Sequence, residues 1–151
     1  MIKVAVFLTF LAAIAPCPSY AKPEMFVMSG ICTKMTAAGI DRTDDCGNKL
    51  ISATLDNGRV TFAFTIGDDR VTTFAGSGSR QRKLGGKAIQ PIDHLDLYDA
   101  KNGSKRFSAV GACTYGSPFT GKTTVACRAG FGKIIFVAEF ITDGSPPTTS
   151  W

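Results

Sequence analysis

The sequence predicts an all-β fold, a single small antiparallel β-barrel or sandwich held by two disulfides. Three observations carry that expectation. Four cysteines form two equally spaced pairs: thirteen residues separate Cys32 from Cys46, and thirteen separate Cys113 from Cys127. Runs that alternate bulky apolar with small or polar residues recur along the chain. The clearest, Val60-Thr61-Phe62-Ala63-Phe64-Thr65-Ile66, has the period of two of a half-buried strand. Turn sequences punctuate these runs at Asn57-Gly58, Gly67-Asp68-Asp69 and Asn102-Gly103, and Asn-Gly tolerates the positive φ that two-residue hairpins need.

The chain opens with the parts of a secretory signal peptide, residues 1–21. Met1-Ile2-Lys3 is a basic start, residues 4–15 are apolar apart from Thr9, and Pro16 and Pro18 break the run before Ser19-Tyr20-Ala21. Small residues at that last position suit cleavage after Ala21. The apolar run falls short of the about 20 residues a transmembrane helix needs, and no later segment qualifies. Cys17 suggests a lipoprotein signal instead, but Pro16 stands where such signals carry a small residue. A β domain over residues 22–143 and a flexible tail over 144–151 complete the expected organisation.

Strands are predicted over residues 25–33, 49–55, 60–66, 70–74, 89–98, 107–115, 123–129 and 133–142. Regular short strands with Gly and Asn turns argue a meander that closes or folds onto itself. Residues 34–45 offer the one place for a short helix. The alternation assigns Phe62, Phe64, Phe74, Leu95, Leu97, Val125, Ile135 and Val137 to the core, and Thr61, Thr65 and Thr72 to positions that tolerate change. A weak echo links Gly58-Arg59-Val60-Thr61-Phe62 to Gly132-Lys133-Ile134-Ile135-Phe136, which shared strand-start chemistry explains better than duplication.

An even cysteine set behind an export signal reads as a disulfide framework, and the predicted location is periplasmic or secreted. Four cysteines allow three connectivities. Sequential pairing, Cys32–Cys46 and Cys113–Cys127, would staple neighbouring strands across a loop. Each closed loop contributes about 3 kcal/mol in the chain-entropy model, a large share of a total of roughly 5–15 kcal/mol.

Charge excludes little. Seventeen Lys and Arg against twelve Asp and Glu give a net charge of +5. Without Lys3, the sixteen remaining basic residues against the same twelve acidic ones leave +4. The one basic cluster is Arg80-Gln81-Arg82-Lys83 with Lys87, where flanking glycines mark a solvated loop. Residues 76–90 contain no aromatic to interleave with bases, which argues against nucleic acid.

The segment Gly116-Ser117-Pro118-Phe119-Thr120-Gly121-Lys122-Thr123 matches the phosphate-loop pattern G-x-x-x-x-G-K-[ST]. Such a loop needs a helix to begin at its end so that backbone N–H groups face the phosphates. Here Thr124-Val125-Ala126-Cys127 follows, a strand sequence, so no nucleotide is expected.

Other chemistry is thin. His94 is the sole histidine, and on a strand Asp93 should point away from it while Asp96 and Tyr98 share its face. Asp41, Asp44 and Asp45 lack the ligand series of a calcium loop. Met25, Met28 and Met35 suit core filling better than copper. No catalytic, cofactor or metal residue is predicted.

The runs Asn57-Gly58-Arg59-Val60-Thr61-Phe62-Ala63-Phe64, Thr73-Phe74-Ala75-Gly76, Ala109-Val110-Gly111-Ala112-Cys113-Thr114 and Val125-Ala126-Cys127-Arg128-Ala129 resemble a group of small exported proteins of alphaproteobacteria. The resemblance spans roughly residues 30–143. It implies export and a β fold and carries over no catalytic residue.

The expectation is therefore an exported, non-enzymatic β domain that binds an envelope or protein partner through exposed loops. A variant is a protease-inhibitor-like barrel presenting Ser117-Pro118-Phe119-Thr120. The rival class is a small hydrolase using His94 with a nearby carboxylate, which a concave polar pocket at His94 would favour.

Overall fold

The structure, a computed structural model, describes residues 22–149, so the expected signal peptide lies outside the described residues. Eleven strands follow one another among them: β1 (Glu24–Ala37), β2 (Ile40–Asp41), β3 (Cys46–Thr54), β4 (Arg59–Ile66), β5 (Arg70–Ser77), β6 (Arg82–Leu84), β7 (Lys87–Asp99), β8 (Gly103–Tyr115), β9 (Thr124–Phe131), β10 (Ile134–Thr142) and β11 (Thr148–Thr149). Strands β1, β3, β4, β5, β7, β8, β9 and β10 pair antiparallel, each with the next, and β10 returns to pair with β1. The meander is an eight-stranded closed barrel. Closure satisfies the two edges that an open sheet leaves exposed. The short β2 and β11 add to β1, and β6 adds to β7.

An eight-stranded barrel has an interior just wide enough for side chains to fill. Phe62, Phe64, Phe74, Phe140, Met35, Leu50, Leu95, Val125, Gln90, Cys113 and Cys127 are the large side chains fully buried there. Met28 joins them, whereas Met25 is exposed. Gly76 marks one tight contact. A Cβ at that position would run into the Pro91 carbonyl oxygen of β7. The turn at Gly58, with φ 75°, is the hairpin that Asn57-Gly58 announces.

Both predicted disulfides form. Cys113 and Cys127 stand opposite each other in the β8–β9 register with Cα atoms 4.0 Å apart. Cys32 and Cys46 join β1 to the start of β3 with Cα atoms 5.8 Å apart. Cys32 sits at an irregularity in the β1–β10 register, where Thr33 is the extra residue.

Several expectations need correction. Residues 34–45 hold no α-helix; β1 runs on to Ala37, and one 3₁₀ turn spans Thr43–Asp45. Phe136, Ala138, Phe140 and Thr142 are the buried residues of β10, while Ile135 and Val137 are half-buried on its outer face. A slip of one residue exchanges the two faces of a strand, and this run is apolar on both. Leu97 is only half-buried, packed at the edge of the core. Thr72 shares the inward face of Phe74 and is buried. In the segment predicted as a tail, Thr148 and Thr149 pair with Val27 and Phe26; Ser150 and Trp151 lie outside the described residues.

Candidate functional site

Because the strands alternate in direction, every second connection falls at the same end of the barrel. One end gathers the starts of β1, β4, β7 and β9 and the finishes of β3, β5, β8 and β10. It brings together two segments that the sequence places some thirty residues apart: the basic cluster and the phosphate-loop-like turn.

The basic cluster is not a plain loop. Gly78–Arg80 forms a 3₁₀ turn, and β6 then folds back on β7 with Leu84 opposite Lys87. The two residues between them, Gly85 and Gly86, have φ of 55° and 76°, which L side chains rarely adopt. The resulting arm carries Arg80, Arg82, Lys83 and Lys87, all exposed, and Leu84 with 70% of its surface exposed. Gln90 anchors its base from inside the barrel, donating from Nε2 to the Ser77 and Pro91 carbonyl oxygens at 2.9 Å each.

The turn between β8 and β9 is tied to the barrel by Thr123. Its Oγ1 accepts from the Gly116 N–H at 3.1 Å, and its own N–H donates to Thr142 Oγ1 at 2.9 Å. Thr120 Oγ1 donates to the Ser117 carbonyl oxygen at 3.2 Å. Phe119 is 59% exposed, with one edge braced against the Phe26 ring at 5.4 Å. Lys122 is exposed, and Thr124 opens a strand rather than a helix, so the turn lacks the helix N-terminus a phosphate loop requires.

Tyr115 joins the two segments. Its hydroxyl donates to Gln81 Oε1 at 3.0 Å, and burial raises its pKa above the ordinary tyrosine value. A recess of about 510 Å³ lies between arm and turn, lined by Lys83, Leu84, Lys87, Tyr115, Pro118 and Phe119 among others. A smaller cavity of about 170 Å³ lies beneath it, against Phe26, Phe62 and Val125.

The opposite mouth has its own cavity of about 480 Å³, with an apolar floor of Ile66, Leu97 and Phe136. Two of its rim cations are already paired: Arg42 with Asp45 and Arg70 with Asp69, at 3.3 Å each. Asp41 there accepts from the Thr43 hydroxyl and N–H, which holds its pKa below the ordinary value. Among the described residues, no three His, Cys, Asp or Glu side chains converge as metal ligands.

His94 lies on the outer wall, and its surroundings differ from expectation. The β7–β8 register is irregular between Ile92 and His94. The buried series Gln90, Ile92 therefore resumes at Leu95, and Asp93 and His94 both come to the outer face. A β-bulge re-aims side chains in this way. His94 Nδ1 donates to Asp93 Oδ1 at 2.5 Å, and Arg59 Nη2 donates to the same oxygen. Desolvation works to raise the Asp93 pKa, but the hydrogen bonds from Arg59 and His94 outweigh it and hold the carboxyl below its ordinary value. Asp96 pairs with Arg106 across the β7–β8 ladder at 2.6 and 3.0 Å. Ser108 stands opposite His94 in register, yet their side chains share no hydrogen bond, and neither residue lines the three cavities described above. The cluster is an ion-paired patch on the outer wall of the barrel.

No family model, curated protein or solved structure matches the chain.

Leu84 is the residue that sequence reasoning missed, whereas Phe119 was already singled out in the presented turn. Arg82-Lys83-Leu84-Gly85-Gly86-Lys87 contains the signal, a large apolar residue set before a glycine turn inside a basic run.

Proposed function

We propose that the chain is an exported, non-enzymatic binding domain that engages an envelope partner through the end of the barrel carrying the arm and the β8–β9 turn. The observation that carries this reading is the convergence there of exposed apolar side chains, cations without an ion-pair partner among the described residues, and a recess. Two disulfides suit an oxidising compartment, and among the described residues no helix is long and apolar enough to cross a membrane. The resemblance to small exported proteins agrees with that compartment.

A stapled barrel suits such a role because the surface is ordered before the partner arrives, so little conformational entropy is lost on binding. Site-specific photo-cross-linking in envelope preparations tests the proposal. Probes at Leu84 and Phe119 should capture a common envelope component, while probes at Ile40 and Val137 should not. Equal capture at all four positions, or none at the first two, contradicts it.

A second reading rests on Phe119 alone, a large side chain presented on a turn clamped by Cys113–Cys127. It is an inhibitor-like bait for proteases that cleave after aromatic residues. Tight, stoichiometric inhibition lost in Phe119→Ala would support it.

A further inference from the structure

We propose that this end of the barrel docks onto an anionic bilayer, lying on the membrane surface rather than crossing it. The inference rests on the reading of that end as the binding site and names the partner. Its first support is charge. Arg80, Arg82, Lys83, Lys87 and Lys122 are all exposed, and none of them forms an ion pair among the described residues. No Asp or Glu occurs in residues 76–92 or 115–123. Glu24, Asp56 and Asp143 belong to the same end but lie outside those two segments. Half of the twelve acidic residues, Asp41, Asp44, Asp45, Asp68, Asp69 and Asp99, sit at the opposite end or beside it. Arg42, Arg70, Lys101, Lys105 and Lys133 stand at or beside that end too, so it is close to neutral. An anionic surface therefore attracts the arm end in preference to the other, which orients the barrel upright.

The second support is the position of the apolar groups. Leu84, 70% exposed, stands at the tip of an arm that pairs with β7 alone, and Phe119, 59% exposed, stands on the neighbouring turn. Large apolar side chains held out on two adjacent tips inside a collar of cations suit insertion into the interfacial layer of a bilayer. A rigid acidic protein would have to offer two matching pockets at fixed spacing. The wall excludes a spanning barrel. Lys49, Arg106 and Arg128 are exposed on it and Asp96 and Glu139 lie beside them, while the interior is packed with apolar side chains. That is the inverse of a membrane-spanning barrel, whose outer belt is apolar.

The test is co-sedimentation of the oxidised protein, produced from the full chain, with phosphatidylglycerol-containing vesicles and with pure phosphatidylcholine vesicles. Binding should require the anionic lipid and weaken at high salt. Lys83→Glu with Lys87→Glu should lower partitioning roughly tenfold or more. Leu84→Ser with Phe119→Ser should also lower it, with thermal unfolding unchanged in both double variants. Lys105→Glu on β8 should have little effect. Phe119→Trp, in a Trp151→Phe background that removes the chain's own tryptophan, should show blue-shifted emission with anionic vesicles only. Absent binding, binding indifferent to the Lys83 and Lys87 reversals, or an equal loss from Lys105→Glu overturns the proposal. If vesicles fail while cross-links at Leu84 and Phe119 persist to a protein, the membrane inference falls and the binding reading stands. If both fail, both fall.

Discussion

Phe64→Ala is the perturbation that most directly tests how this barrel is held together. Phe64 is fully buried, and its ring meets Phe74 edge-on at 5.8 Å. A buried Phe withdraws about 150–250 Å² from water, which at about 25 cal/mol per Å² is worth about 4–6 kcal/mol. The unfolded chain already hides part of that area, so the expected loss is about 3–5 kcal/mol, the usual range for Phe→Ala. With a urea dependence of about 2 kcal/mol per M, the unfolding midpoint should fall by about 2 M. Thr61, three residues earlier on the outer face of β4, should cost about 0.5 kcal/mol when changed to Ala. Urea titrations of the two variants, followed by far-UV circular dichroism, make the comparison. If Phe64→Ala does not fold, Phe64→Leu replaces it and should still exceed Thr61→Ala. The same contrast on β10 should give a larger loss for Phe136→Ala than for Val137→Ala. Equal small shifts for the inward and outward members of either pair would refute the register and the filled interior.

Removing the two disulfides should have unequal effects. Both close loops of the same sequence separation, 14, worth about 3 kcal/mol each in the entropy model. Cys113 and Cys127 are also fully buried, while Cys46 is only half-buried, so Cys113→Ala with Cys127→Ala should lower the midpoint further than Cys32→Ala with Cys46→Ala. Asp93→Asn should destabilise the protein at neutral pH. The folded pKa of Asp93 is depressed, so its contribution is complete above the unfolded carboxylate value of about 3.9 and is lost as pH falls through the lower folded value. Denaturation across pH should therefore show the variant and the parent converging in acid. Calorimetry with magnesium and ATP should give no saturable binding, and Lys122→Ala should leave the unfolding midpoint unchanged, because a strand rather than a helix follows the turn.

Local chemistry was enough to place the eight barrel strands and their turns and to favour the sequential cysteine pairing over its two alternatives, while the short β2, β6 and β11 escaped it. Alternation along 60–66 and the Asn57-Gly58 turn depend on neighbouring residues only, and each cysteine pair flanks one short connection. Burial on β10 was harder to read, because Ile134-Ile135-Phe136-Val137-Ala138 is apolar on both faces. The echo with β4 held the answer: Phe62 and Phe136 occupy the same place after Gly58 and Gly132, and both point inward. Closure was not legible in the same way. Pairing β10 with β1 joins residues about a hundred positions apart, and no short-range pattern states whether a meander curls until its edges meet. The irregular register at Asp93 likewise belongs to a neighbouring strand, so the local period of two wrongly set Asp93 and His94 on opposite faces. The candidate surface is a tertiary property as well. The sequence contains a basic run and a glycine-rich turn with no visible relation, and only an even number of strand reversals places them side by side at one end of the barrel.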